Sequence, residues 1–118
     1  MERITKRDIY MQFIHLCNAT GAKCWVMDED FNKFKKEDPY FPTPDKRAAN
    51  WKEVGAWGLS EAGVYGGWVI QELCNEQGGI KHPFSSNRFR NREFFDILGY
   101  MRMSVDHMKR KATETNNQ

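Results

Sequence analysis

Apolar side chains recur at helical spacing near the start of the chain. The stripe comprises Ile9, Phe13 and Leu16, at i, i+4 and i+7. This spacing places side chains on one face of an α-helix. Thr5 before the stripe is a typical capping residue, and Gly21 after it is a typical helix stop. The pattern therefore predicts a helix from Lys6 to Thr20.

A longer stripe occupies the C-terminal part of the chain. Its members stand at i, i+4, i+7, i+11 and i+14: Phe94, Leu98, Met101, Val105 and Met108. The same spacing rule predicts a long helix that begins between Asn87 and Arg92 and ends near Lys111. Residues 112–118 are polar, and we expect them to form a frayed tail.

Segments of β-prone composition lie between the two stripes. Cys24–Met27 predicts a short strand, and Trp51–Leu59 and Val64–Cys74 predict two more. Ser60–Gly63 is short and contains glycine, which is typical of a hairpin connection. Asn75–Gly79 is rich in turn residues, so we expect the second of these strands to end there.

The segment between the first helix and the hairpin has a different composition. Pro39, Pro42 and Pro44 fall within six residues, and proline is incompatible with a helix interior or a central strand. Charges of both signs in the same segment favour solvent. We therefore predict a long loop, containing aromatic residues and prolines, at about residues 28–50.

The order of these elements and the size of the chain define the expected fold. The 118 residues, 40% hydrophobic and 29% charged, are typical of one folded domain. Each helix has a single apolar face, which a small sheet can cover. We predict one α+β domain over residues 1–111, in which a small antiparallel sheet of about three strands packs against an N-terminal and a long C-terminal helix.

Charge and cysteine content narrow the function classes. The net charge of +2 is too small to indicate nucleic-acid binding by itself. Its distribution is uneven, because the segment from Lys81 to Arg92 contains four Lys or Arg residues and no acid. The three cysteines lack motif spacing and are typical of reduced thiols, and no stretch resembles a signal peptide or a membrane span. We therefore expect a cytoplasmic protein.

The basic segment is the first candidate site. It comprises Lys81, His82, Arg88, Arg90 and Arg92, around the predicted start of the last helix. Free amides at a helix start favour an anion, and the arginine fork matches phosphate oxygens. The arginines share one face only if their segment is extended. The structural alternative is a solvated helix entry whose arginine stems cover apolar surface.

Aromatic residues form two further candidates. Tyr40, Phe41 and Trp51 could anchor a protein partner, because aromatic side chains dominate interface hot spots. Tyr65 and Trp68 flank Gly66–Gly67 and could grip a flat ligand. Glycine inside a strand more often marks a bulge or close packing, so the glycine pairs leave both interpretations open.

Metal binding and catalysis have less support. Cys17, Cys24, Cys74 and His82 are spaced more widely than the ligands of a zinc site, and Cys17 falls on the apolar stripe of the first helix. No nucleophile elbow, phosphate-binding loop or paired-carboxylate motif is present in the sequence. We therefore predict a protein that is not an enzyme and that uses neither a metal nor another cofactor.

Several motifs taken together resemble a known group of proteins. They are Val54–Leu59, Val64–Ile70 with its Tyr-Gly-Gly-Trp, Asn75–Ile80 with its Asn-Glu-Gln-Gly-Gly, and Asn91–Phe95. The pattern resembles small uncharacterised proteins of tailed bacteriophages. It covers Val54 to Tyr100 and departs at Phe31 to Asn50, which looks like an insertion. The resemblance implies a phage accessory protein in a bacterial cytoplasm, and it carries over no catalytic residue.

The sequence thus predicts a non-enzymatic accessory protein that acts by binding. The favoured target is a nucleic-acid backbone, bound through the arginine-rich segment. The first alternative is an inhibitor that binds a host or defence protein through the aromatic loop. The second is a small-ligand binder that uses the slot between Tyr65 and Trp68. Salt dependence distinguishes nucleic-acid binding from protein inhibition. Binding to a nucleic-acid backbone releases counterions and weakens steeply as salt rises, whereas an interface anchored by aromatic residues changes much less.

Overall fold

A computed structural model describes residues 3–49, 53–61, 67–75, 77, 79–84 and 87–116. Its elements, in chain order, are α1 (Lys6–Thr20), α2 (Asp28–Glu37), β1 (Trp57–Glu61), β2 (Trp68–Leu73), β3 (Ile80–Lys81) and α3 (Asn91–Asn116). The three strands form one antiparallel sheet in the order β1-β2-β3. Helices α1 and α3 pack on the sheet, which confirms the predicted α+β fold.

The first helix is confirmed with both of its ends. The Thr5 side chain and the Asp8 carboxylate form a reciprocal capping box at its start. Gly21 ends it with a φ of 79°, in the left-handed region that glycine enters without steric cost. Ile9, Phe13 and Leu16 are all buried, so the stripe forms the core face.

The last helix begins as predicted but is longer. It starts at Asn91 and continues to Asn116, so the tail predicted from residue 112 is helical through Asn116. Phe94 and Leu98 are buried, Met101 and Val105 pack at the edge of the core, and Met108 is exposed. The apolar stripe therefore contacts the core only along about the first half of α3.

The loop predicted at 28–50 is wrong over its first part, where α2 runs from Asp28 to Glu37. Three acids occupy its first turn and two lysines its last, which is the arrangement that the helix dipole favours. Phe31 and Phe34 bury one face. The prolines begin two residues after the helix and therefore do not interrupt it.

The predicted strand at Cys24–Met27 is also wrong. Cys24 forms only isolated bridges, to Arg47 and to Trp57. The third strand is β3, where Lys81 pairs with Glu72 and Ile80 with Leu73. Asn75 shapes the turn before it, because its side-chain oxygen accepts from two backbone amides, 3.0 Å from each.

The predicted hairpin is present with shorter strands, and Ser60 and Glu61, which were predicted to lie in the connection, belong to β1. Glu61 lies opposite Trp68, and residues 62–66 of the connection lie outside the described residues. Gly67 has a φ of 97°, and a Cβ atom built on it would lie 3.0 Å from Arg88 Cβ. A close approach of the chain beside Arg88 therefore explains this glycine. Gly66 and Gly78 lie outside the described residues.

Candidate nucleic-acid interface

The chain is extended immediately before α3. The Trp68 amide donates to the Phe89 carbonyl over 2.7 Å, and the Phe89 amide donates back to the Trp68 carbonyl over 3.1 Å. Alternate residues of an extended segment point to the same side. Arg88 and Arg90 therefore share one side of the chain, as the extended interpretation requires, whereas Arg92 lies within the first turn of α3.

Arg88 is held by uncharged acceptors. Its guanidinium donates to the Ser60 carbonyl over 3.1 Å and to the Ser60 hydroxyl over 3.2 Å. Arg90 is exposed beside it. Among the described residues, no carboxylate lies within ion-pair distance of either arginine. Within the described ranges, neither charge is therefore paired with a carboxylate, and both lie next to the first amides of α3, a position that favours an anion.

Arg92 differs from these two arginines. Its guanidinium lies 3.6 Å from the Asp96 carboxylate, one helical turn further along, and both side chains are about half exposed. An exposed pair of this kind contributes little stability. It nevertheless places a negative charge beside Arg92, so two of the three predicted arginines, Arg88 and Arg90, have no paired carboxylate within the described part of the chain.

Lys81 and His82 lie at the other end of β2. Lys81 pairs with Glu72, whereas Phe89 pairs with Trp68. These two points on β2 are four residues, or about 13 Å, apart. The structure thus divides the predicted basic segment into two places, and the expectation of one continuous basic patch is corrected.

Lys81 also has a structural partner. Its Nζ atom lies 2.8 Å from a Glu72 carboxylate oxygen, and the other Glu72 oxygen accepts the Trp57 indole N–H over 2.8 Å. The three side chains come from β3, β2 and β1 in turn. This network links the three strands through their side chains. It also pairs Lys81 with Glu72, at a distance from Arg88 and Arg90.

The network predicts a pH dependence of stability. Hydrogen bonding to Lys81, and then to Trp57, holds the pKa of Glu72 below its usual value against an opposing effect of burial. A depressed pKa in the folded state contributes stability above the unfolded pKa, which is lost as the pH falls through the folded value. We expect Glu72→Gln to lower the melting temperature at neutral pH and to differ progressively less from the native chain as the solution is acidified. Thermal melts across acidic pH check this.

The matched control is Glu61→Gln, an exposed glutamate on the neighbouring strand. It should shift the melting temperature little at any pH. A constant difference between Glu72→Gln and the native chain down to strongly acidic pH would contradict the assignment, because the carboxylate charge would then not be the source of the stability.

The predicted aromatic contacts separate into two groups. Tyr40 is 94% exposed, as a partner contact requires. Phe41 and Trp68 are 1% and 2% exposed, so the expectation that they contact a partner or ligand is corrected. Phe41 packs against Phe31 and Phe34, and the Trp68 ring lies nearly parallel to that of Phe94. Trp51 and Tyr65 lie outside the described residues.

An apolar groove that the sequence did not indicate lies between β2 and α3. Its volume is about 250 Å³, and its lining includes Val69, Phe84, Phe89, Ile97 and Met101. Phe84 and Phe89 were visible in the sequence among the basic residues. Phe89 alternates with Arg88 and Arg90 in the extended segment, so its ring lies on the side away from the arginines.

The remaining chemistry-bearing side chains are dispersed. Cys17 and Cys24 are buried and Cys74 is exposed, all as free thiols. The neighbouring Cys24, together with burial, raises the pKa of Cys17. Within the described ranges, no three His, Cys, Asp or Glu side chains are grouped as a metal site would need. Nor does any helix in that part of the chain have the length and apolar character to cross a membrane.

Comparison with known proteins adds no relative. No protein-family model, no curated protein and no solved structure matches the chain. The resemblance to phage proteins therefore stays a prediction.

Proposed function

We propose that this protein acts by binding a nucleic-acid backbone through Arg88, Arg90 and the first turn of α3, without catalysing a reaction. The observation that supports the proposal most directly is the pair of arginines on one side of an extended segment that leads into a helix start. A phosphate placed there would meet two guanidinium groups and free backbone amides at once.

The anchoring of Arg88 by Ser60 favours this role. Neutral acceptors fix the side chain without cancelling its charge, so little rotamer entropy remains to be lost on binding. Arg90 remains exposed to adjust to a second phosphate. Two charges support modest affinity, because the backbone contribution grows with the number of phosphates neutralised.

The cellular setting follows from the sequence resemblance alone. On that basis, we place the protein among accessory factors of tailed phages, in the cytoplasm of the infected bacterium. Binding without catalysis suits such a factor, since occupancy of a nucleic acid is sufficient to block or recruit another component.

The test removes the two charges and measures the salt dependence of binding. Arg88→Gln with Arg90→Gln should weaken binding to a mixed-sequence oligonucleotide and reduce the slope of log K against log salt by about 2 units. The measurement is fluorescence anisotropy over a salt series, with single-stranded and duplex forms of the same oligonucleotide.

The control variant is Lys33→Gln with Lys36→Gln, which removes the same net charge from exposed positions on α2. It should leave the slope nearly unchanged. Equal effects of the two double variants would refute the assigned site, because the binding would then depend only on net charge. Absence of any binding by the native chain would refute the nucleic-acid target.

A second candidate function is inhibition of a host or defence protein. Tyr40 favours it, because the ring is almost fully exposed in a segment tied down on both sides. The Lys35 ammonium donates to the Phe41 carbonyl over 2.6 Å, and the Tyr40 amide donates to Asp38 over 3.0 Å. A large aromatic side chain on an ordered backbone is a typical interface anchor. Capture of a bacterial protein that persists after nuclease treatment and is lost with Tyr40→Ala would support this candidate.

A further inference from the structure

Helix α3 has a second face that the fold does not use. Its 26 residues span about 39 Å, whereas the 15 residues of α1 span about 22 Å. Tyr100 is 70% exposed and Met103 is 62% exposed, on the side of α3 opposite Leu98. Large exposed apolar side chains on an ordered helix favour an additional partner.

The residues of this face follow a regular repeat. In chain order they are Glu93, Asp96, Tyr100, Met103, His107 and Arg110, all of them exposed. Their spacings alternate between three and four residues, which is the pattern of the 3.5-residue repeat of a two-helix seam. We name these six residues the outer seam. Its centre is apolar, its N-terminal part is acidic, and its C-terminal part is basic.

This charge order makes the outer seam complementary to itself when two copies run antiparallel. In the register that pairs Tyr100 with Met103 of the second copy, Asp96 falls opposite His107 and Glu93 falls opposite Arg110. Each pair occurs twice, as a two-fold interface requires. The same register brings Arg92 near Lys111, a like-charged pair, but the Asp96 carboxylate 3.6 Å from Arg92 offsets this repulsion.

A buried hydrogen-bond acceptor lies beside the outer seam. The Gln12 side chain of α1 is about nine-tenths buried, and its Oε1 atom has no hydrogen-bond partner within the described part of the chain. With Gly99, Tyr100 and Met103, it lines a cavity of about 180 Å³. Buried polar atoms are nearly always satisfied, and a water or a donor from a covering chain would satisfy this one.

We propose that a second copy of this chain covers the outer seam, with the two α3 helices antiparallel. The partner is another copy because a single face supplies the apolar centre and both complementary charged ends. In this register the C-terminal end of the second copy's α3 runs beside the start of α3, so the dimer borders the surface that carries Arg88 and Arg90. The dimer does not require the proposed nucleic-acid function, and its tests measure mass and not nucleic-acid binding.

The first test measures mass by sedimentation equilibrium over a dilution series of the full chain. The native chain should approach twice its monomer mass as its concentration rises, and Tyr100→Glu should weaken dimerisation at least about 30-fold, because the substitution acts on both copies. The matched control is Tyr40→Glu, an equally drastic change at an exposed tyrosine, and it should dimerise like the native chain. Circular dichroism verifies that both variants are folded.

The second test verifies the antiparallel register. Glu93→Arg and Arg110→Glu should each weaken dimerisation roughly tenfold, and the double variant should restore it. Failure of the double variant to recover would overturn the pairing. A native chain that stays monomeric at every concentration, or a Tyr100→Glu chain that dimerises like the native one, would overturn the proposal. If Tyr100→Glu does not fold, the charge-reversal series decides alone.

Discussion

Replacing Trp68 by alanine is expected to lower the free energy of unfolding by roughly 3–5 kcal/mol. The ring is 2% exposed at the start of β2, between the two helices that cover the sheet. It packs nearly parallel to Phe94 of α3 and edge-on to Tyr10 of α1, with centroids 6.4 and 6.1 Å away. Removing it therefore opens a cavity where three elements meet.

The indole N–H of Trp68 adds a polar contribution. It donates to the Asn91 side-chain oxygen over 2.7 Å, and the Asn91 amide donates to the Ile4 carbonyl over 3.0 Å. Asn91 is the first residue of α3, so the indole fixes where this helix begins relative to the sheet. Alanine removes the donor and leaves the Asn91 oxygen without this partner in a half-buried site, which costs about 1–3 kcal/mol in comparable cases.

Urea unfolding of Trp68→Ala and Trp68→Phe separates these two contributions. Phenylalanine keeps most of the packing and loses the N–H donor, so we expect it to cost roughly 1–3 kcal/mol. Tyr40→Ala is the surface control and should lie within about 0.5 kcal/mol of the native chain. A loss smaller than about 1 kcal/mol for Trp68→Ala would show that the ring is not a core residue in solution.

The elements predicted correctly are those specified by local signals. The apolar stripe of α1 stands between a capping box and a left-handed glycine, so both of its ends are encoded within a few residues. The predicted start of α3, between Asn87 and Arg92, contains its actual start at Asn91. Helix α2 was not predicted, because three nearby prolines favoured a loop. These prolines follow the helix, and its acidic first turn and basic last turn are present in the sequence.

Elements defined by pairing could not be predicted in this way. Strand β3 has two residues, and only its register with Glu72 and Leu73 makes it a strand. The candidate site shows the same limit. The sequence showed that Arg88 and Arg90 could share one side only in an extended segment. It could not reveal that Lys81 pairs with Glu72 across the sheet. The orphan acceptor of Gln12 depends on how α1 and α3 meet, which no local pattern encodes.

Leu98→Ala is expected to lower the free energy of unfolding by roughly 2–5 kcal/mol, because the side chain is 0% exposed within the apolar stripe of α3. Leu98 also borders the groove between β2 and α3, so neighbouring side chains have some room to close the new cavity. This relaxation favours the lower half of the range. Urea unfolding provides the measurement, and Met108→Ala, an exposed position on the same helix, is the control that should change stability by less than about 0.5 kcal/mol.

The position of Leu98 also separates folding from association. Leu98 and Tyr100 differ by two residues, or about 200° around the helix, so they lie on opposite faces of α3. Leu98→Ala should therefore lower stability while the folded chains still dimerise, whereas Tyr100→Glu should lose the dimer and keep the folded monomer. Loss of both properties in either variant would contradict this division, because one face of α3 would then serve both purposes.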